Sequence, residues 1–205
     1  MTQLPTISDV APVVAVVKDL AIAVAALATA YFADRGLKTW REELRGKADF
    51  EVARALARAT LKVRDEIASA RSPLTYTTDP PPADPEGKAQ ERGRLFRERW
   101  APVEAALREF DASAIESEAL WGKEIRERTQ ALRTCAVTLW VAWDSVIDDA
   151  RAGGDHFKSD PDFGRRTRAQ VFASPQATDN QLSNDITSAV EGIEAVLRRR
   201  MAHSR

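Results

Sequence analysis

Apolar residues follow two different patterns along this chain. From Val10 to Ala33 the only charged side chains are the neighbours Lys18 and Asp19, and Leu20–Ala33 carries none. This stretch is apolar on every side and predicts a helix that runs past Trp40 to Leu44, with Gly46 as its stop. Beyond Asp49 the apolar residues keep to one face. Val52, Leu56, Ala59, Val63 and Ile67 recur at spacings of three and four, with Arg54, Arg58, Lys62 and Asp65 on the other side. That spacing predicts a second helix over about Phe50–Ala70, capped by Asp49.

The same rhythm predicts the later elements. Ser72–Glu86 contains Pro73, Pro80, Pro81, Pro82 and Pro85 and reads as a loop. Asp84-Pro85-Glu86 then supplies a cap, a first-turn proline and a first-turn carboxylate. A third helix is expected over about Pro85–Phe110, with a kink or break at Pro102. Ser113 and Glu116 match a capping box, so a fourth helix either starts there or continues from the third. Its seam is Ile125, Thr129, Leu132, Ala136, Leu139, Trp143 and Val146, the spacing of a bundle or coiled coil. Gly153-Gly154 ends it, and residues 155–178 read as a second polar loop. Thr178 or Asp179 would cap a last helix with Leu182, Ile186, Ala189, Ile193, Val196 and Leu197 on one face. It closes on Arg198-Arg199-Arg200, favourable beside the negative end of the helix dipole. No run alternates long enough for a strand.

The expected fold is therefore all-α: an N-terminal transmembrane helix followed by an antiparallel bundle of about four helices. Residues 1–46 form the anchor and a basic juxtamembrane segment. Residues 47–205 form the bundle, with loops near 72–86 and 153–178.

The membrane reading rests on length and flanks. Pro12–Ala33 would cover roughly 33 Å as a helix, close to the hydrocarbon thickness of a bilayer. Lys18 and Asp19 oppose it, since a charge at the centre of a span costs about 2.5–3.5 kcal/mol. A span displaced toward Leu20–Leu37 lets Lys18 snorkel at one interface. Arg35, Lys38 and Arg41 then lie at the other, with Tyr31 and Trp40 as aromatic anchors. The first seventeen residues contain no Lys or Arg, which disfavours a signal peptide. The competing reading is a buried helix of a soluble bundle. The basic cluster decides between the two, and the positive-inside rule places the N-terminus outside and the bundle in the cytoplasm of a single-pass inner-membrane protein.

Charge adds one refinement. Residues 34–72 hold 10 Lys/Arg against 7 Asp/Glu, residues 73–164 hold 12 against 18, and residues 165–205 hold 7 against 4. An acidic middle between basic flanks suits a chain that meets an anionic surface at both ends. The near balance overall makes nucleic acid an unlikely partner. Cys135 is the only cysteine, which excludes an intrachain disulfide.

The block Gly36-Leu37-Lys38-Thr39-Trp40-Arg41-Glu42-Glu43-Leu44-Arg45-Gly46 is followed by Ala53-Arg54 and Val63-Arg64-Asp65. A later block reads Glu116-Ser117-Glu118-Ala119-Leu120-Trp121-Gly122. Together they resemble a group of uncharacterised bacterial proteins with one N-terminal spanning helix and a helical cytoplasmic part. The resemblance covers about the first third of the chain and one central patch. It implies an anchor and a helical fold, and no activity.

Candidate chemistry is sparse. Among Asp144, Asp148 and Asp149, the first two sit one turn apart on the same face of a helix, where they could share a divalent cation through oxygen ligands. The bland alternative is that they solvate an outer face. His156 and His203 match no zinc or di-iron pattern. Cys135 lies near the apolar seam and reads as a small core residue. Arg165, Arg166 and Arg168, between Phe163 and Phe172, make a compact basic loop that could take anions together with Arg198–Arg200. Trp100, Trp121, Trp140 and Trp143 are first core residues and second a partner surface. No cofactor is implied. The expected function is a membrane-tethered, non-enzymatic interaction or scaffold protein that binds membrane lipid and a protein partner or a second copy. The alternatives are a metal-dependent enzyme using the Asp cluster, and a soluble bundle binding anionic lipid or nucleic acid.

Overall fold

The computed structural model describes residues 7–73, 82–173 and 180–203, and among these every regular element is helical. Six helices follow one another: α1 (Ile7–Ala70), α2 (Pro85–Trp121), α3 (Lys123–Arg151), α4 (Asp155–Ser159), α5 (Pro161–Val171) and α6 (Gln181–His203). The chain divides into two compact units, Met1–Ala48 and Asp49–Arg205.

The second unit is an antiparallel bundle whose register is written in its side-chain contacts. Asp49 accepts from Trp121 Nε1 at 3.2 Å, Lys62 pairs with Glu109 at 2.7 Å, and Arg99 donates to the carbonyls of Ala70 and Ser72 at 3.3 and 2.6 Å. Rising numbers in α1 thus meet falling numbers in α2. Arg126 with Glu118 and Arg133 with Asp111 set α3 antiparallel to α2. Arg199 with Glu124 places the end of α6 at the start of α3.

The core is the sum of the predicted faces. The seam of α3 is buried throughout, as are Leu56, Val63 and Ile67 of α1 and all six apolar positions named on α6. They close on Val103, Ala106 and Phe110 of α2. Phe96, Trp143 and Phe172 stack in sequence, with ring centroids 5.7 Å apart at each step. Burying such rings removes on the order of 150–250 Å² each from water. The Trp143 indole N–H has no hydrogen-bond partner among the described residues.

Several predicted boundaries differ. No break separates Leu44 from Phe50, because α1 is continuous to Ala70. A helix-interior glycine such as Gly46 costs only about 1 kcal/mol relative to alanine, and Asp49 bonds to the Trp121 indole. Nor does α2 break at Pro102, which is exposed and removes one backbone donor. Burial of Val103, Ala106 and Phe110 just beyond it holds the helix together. Ser113 therefore starts no helix, and its carbonyl accepts from Ser117 Oγ at 2.7 Å. The real break is Gly122, at φ +71°, a conformation that L side chains rarely adopt.

Residues 153–178 are not simply a loop. Asp149 of α3 accepts the Phe157 N–H at 2.9 Å and organises the start of α4, and Asp160 caps α5 through the Phe163 N–H at 2.9 Å. Gly164 lets α5 lie on α4, since a Cβ there would come within 2.8 Å of Phe157 Cβ. Thr178 and Asp179, the expected caps of the last helix, lie outside the described residues. Asn180 does the work, with Oδ1 accepting from Ser183 N at 3.1 Å. Asp84 caps α2 as predicted, taking the Gly87 N–H at 2.8 Å ahead of Pro85.

Candidate functional site

The first unit presents an apolar surface. From Leu20 onward α1 contains an 18-residue window of mean hydropathy 1.4, none of it buried. Leu20, Ile22, Val24, Leu27, Tyr31 and Phe32 are all exposed, Leu27 to 72%. The polar groups in this stretch satisfy themselves locally. Thr29 Oγ1 donates to the Ala25 carbonyl at 2.9 Å, and Thr39 Oγ1 to the Arg35 carbonyl at 3.2 Å. A helix with its hydroxyls turned back on its own backbone has few unmet polar groups to carry into an apolar medium.

The boundary residues lie along the same helix. Lys18 is exposed, and the Asp19 side chain lies outside what is described. Tyr31 packs edge-on against Phe32 at 5.7 Å, and its hydroxyl accepts from Arg35 Nη1 at 3.3 Å. Lys38 pairs with Asp34 at 2.8 Å, and Lys47 with Glu43 at 2.8 Å. Trp40 and Arg41 are exposed. Aromatic and basic residues thus alternate over three turns where the apolar window ends.

The other candidates are dispersed. Asp144 is exposed, Asp148 pairs with Arg151 at 2.7 Å, and Asp149 is buried and used by the Phe157 N–H. No group of three or more His, Cys, Asp or Glu side chains placed to hold a metal occurs among the described residues. Arg165, Arg166 and Arg168 lie on helix α5, not on a loop. Arg165 pairs with Asp162, and the Arg168 guanidinium sits 4.9 Å from the centre of the Phe157 ring. They do not join Arg198–Arg200. Arg199 meets Glu124 at the start of α3, whereas α4, which leads directly into α5, is tied to Asp149 near its end. Those two points are roughly 37 Å apart along α3 at 1.5 Å per residue.

One functional-looking residue escapes sequence reasoning. Arg71, just past α1, is buried and donates to Gln170 O at 2.8 Å, Ser183 Oγ at 2.9 Å, Ala169 O at 3.2 Å and Asn180 Oδ1 at 2.8 Å. Its own carbonyl accepts from Ala173 N at 3.0 Å. Desolvation lowers the affinity of the guanidinium for its proton, with the Cys135 thiol acting in the opposite sense. An arginine remains charged even so. The last carbonyls of α5 and the negative end of its dipole offset the burial of that charge. Arg71 is a structural clasp joining α1, α5 and α6. Cys135 is buried, and desolvation, followed by the Asp185 charge, pushes its thiol up, away from the reactive thiolate. Trp100 is half-buried beside Phe96, Trp121 and Trp143 are buried, and Trp140 is exposed on α3.

No family model matches this chain, and no curated protein or solved structure matches it significantly. The class defined by the observations is an all-α protein with a long N-terminal helix, apolar enough over one window to cross a membrane, followed by several packed helices.

Proposed function

We propose that this is a single-pass protein of a bacterial inner membrane, N-terminus outside. Its cytoplasmic bundle works as a non-enzymatic interaction or scaffold module. The observation that carries the reading is the uncovered apolar window of α1. A core helix of a soluble bundle has its apolar residues covered, and an all-round apolar helix left bare needs another medium or partner. The basic and aromatic residues from Tyr31 to Arg41 support the orientation. Buried polar side chains that hold the fold, such as Arg71 and Asp149, support the scaffold role. The bundle's exposed Val137, Trp140 and Val141 on α3 offer a face for a protein partner.

The test is membrane fractionation of the full chain beside a version starting at Lys38. The full chain should sediment with membranes and the shortened one should stay soluble. A full chain that purifies without detergent as a monomer would overturn the reading, as would one cleaved between Leu20 and Lys38.

A further inference from the structure

Phe32, Gly36 and Trp40 follow one another at four-residue intervals on one face of α1. The missing side chain at Gly36 leaves a shallow groove, wide open to its surroundings, lined by Phe32, Arg35, Gly36, Thr39, Trp40 and Glu43. Nothing lies within 4 Å of where a Gly36 Cβ would stand. The groove has two apolar rings, an open floor and a guanidinium on one wall. The charges along this segment are not equivalent. Lys38 is tied to Asp34 and Lys47 to Glu43, whereas Arg35 has no carboxylate partner among the described residues and donates to the neutral Tyr31 hydroxyl. Arg35 therefore carries charge to offer, and Lys47 offsets the carboxylate on the groove's far wall.

We propose that this groove is a binding site for an anionic phospholipid. Arg35 takes the phosphate, and the glycerol and upper acyl chain lie over Gly36 between Phe32 and Trp40. The inference rests on the membrane reading, which sets the groove at the level where headgroups meet hydrocarbon. A guanidinium presents its donors in a planar fork matched to phosphate oxygens. A second copy is the poorer occupant. Two anchors inserted with the same orientation would bring Arg35 opposite Arg35 in the groove, a like-charge contact in a poorly solvating layer.

The experiment uses the full chain with phosphatidylcholine vesicles doped with either brominated phosphatidylglycerol or brominated phosphatidylcholine. It reads flotation and the quenching of tryptophan fluorescence. The tryptophans of the bundle give a constant background, and Trp40 reports the groove. Quenching by the brominated anionic lipid should exceed that by the zwitterionic one about threefold. Gly36→Leu, which fills the groove and favours the helix, should abolish the preference while flotation persists. Arg35→Gln should do the same. Failure to float with any vesicle overturns the membrane reading and this site with it. Flotation with equal quenching by both lipids overturns the site alone. So does a preference that survives Gly36→Leu, or crosslinking of two copies through the groove.

Discussion

Leu20–Ala33 and Val52–Ala70 belong to one helix and are both rich in apolar residues, yet their surroundings are opposite. In the second stretch the apolar residues keep to a single stripe, and the bundle covers it: Leu56, Val63 and Ile67 are fully buried. In the first there is no stripe, and Leu27 and Phe32 remain mostly exposed. A stripe announces a partner within the same chain, because a folded neighbour can cover one face of a helix. An apolar surface on all sides gives no single face for such a neighbour to cover, which is the ground of the membrane proposal. The absence of periodicity is thus as informative as its presence.

The sharpest way to break the comparison is to truncate one large residue in the core that covers the second stretch and one in the uncovered first stretch. Phe110→Ala, in the core that covers Val52–Ala70, should cost about 3–5 kcal/mol in urea unfolding of the full chain in mild detergent. Leu27→Ala should leave that transition unchanged within about 0.5 kcal/mol. Equal losses would mean that Leu27 also packs on protein. Arg71→Ala should destabilise the bundle by about 3 kcal/mol, since it takes the guanidinium donor from the Gln170 carbonyl and cuts the ties to Ala169, Asn180 and Ser183 at once. Arg71→Lys should recover little, because an ammonium cannot span the same acceptors. Hydrogen exchange at Ala173 and Ser183 would locate the damage, and unchanged exchange there would contradict the clasp.

Smaller effects refine the picture. Asp84→Ala should cost about 1 kcal/mol through loss of the Gly87 cap, read as a shifted unfolding midpoint. A double-mutant cycle on Lys62 and Glu109, exposed across α1 and α2, should give a coupling of only about 0.2–1 kcal/mol that fades with salt. A coupling above about 2 kcal/mol would mean the pair is more sheltered than its exposure indicates.

Much of the bundle was legible because it depends on spacing alone. The α3 seam from Ile125 to Val146 and the α6 face from Leu182 to Leu197 are buried residue for residue as the pattern predicts. Punctuation was harder, because glycine and proline set only local costs. Gly46 sits inside a helix that runs on through it and Pro102 inside one that packing sustains, while Gly122 makes the break because there the chain must reverse between antiparallel partners. Helix α5 carried the same signature as α2, an aspartate before a proline, in Asp160-Pro161. The polar composition around it hid the signal. Arg71 was not legible at all, since its acceptors come from segments about a hundred residues away. Of the candidate site, the apolar window and its basic flank were readable from composition. The groove at Gly36 needed the helix to be continuous from Phe32 to Glu43, which a stop at Gly46 did not disturb.

The most direct measurement is alkaline carbonate extraction of membranes carrying the full chain or its Leu27→Arg variant. The arginine adds about 2.5–3.5 kcal/mol to insertion at the middle of the window. The wild-type chain should resist extraction, and the variant should be released with its bundle still folded. Release of the wild-type chain as a folded monomer, indistinguishable from the variant, would show that the apolar window never entered lipid.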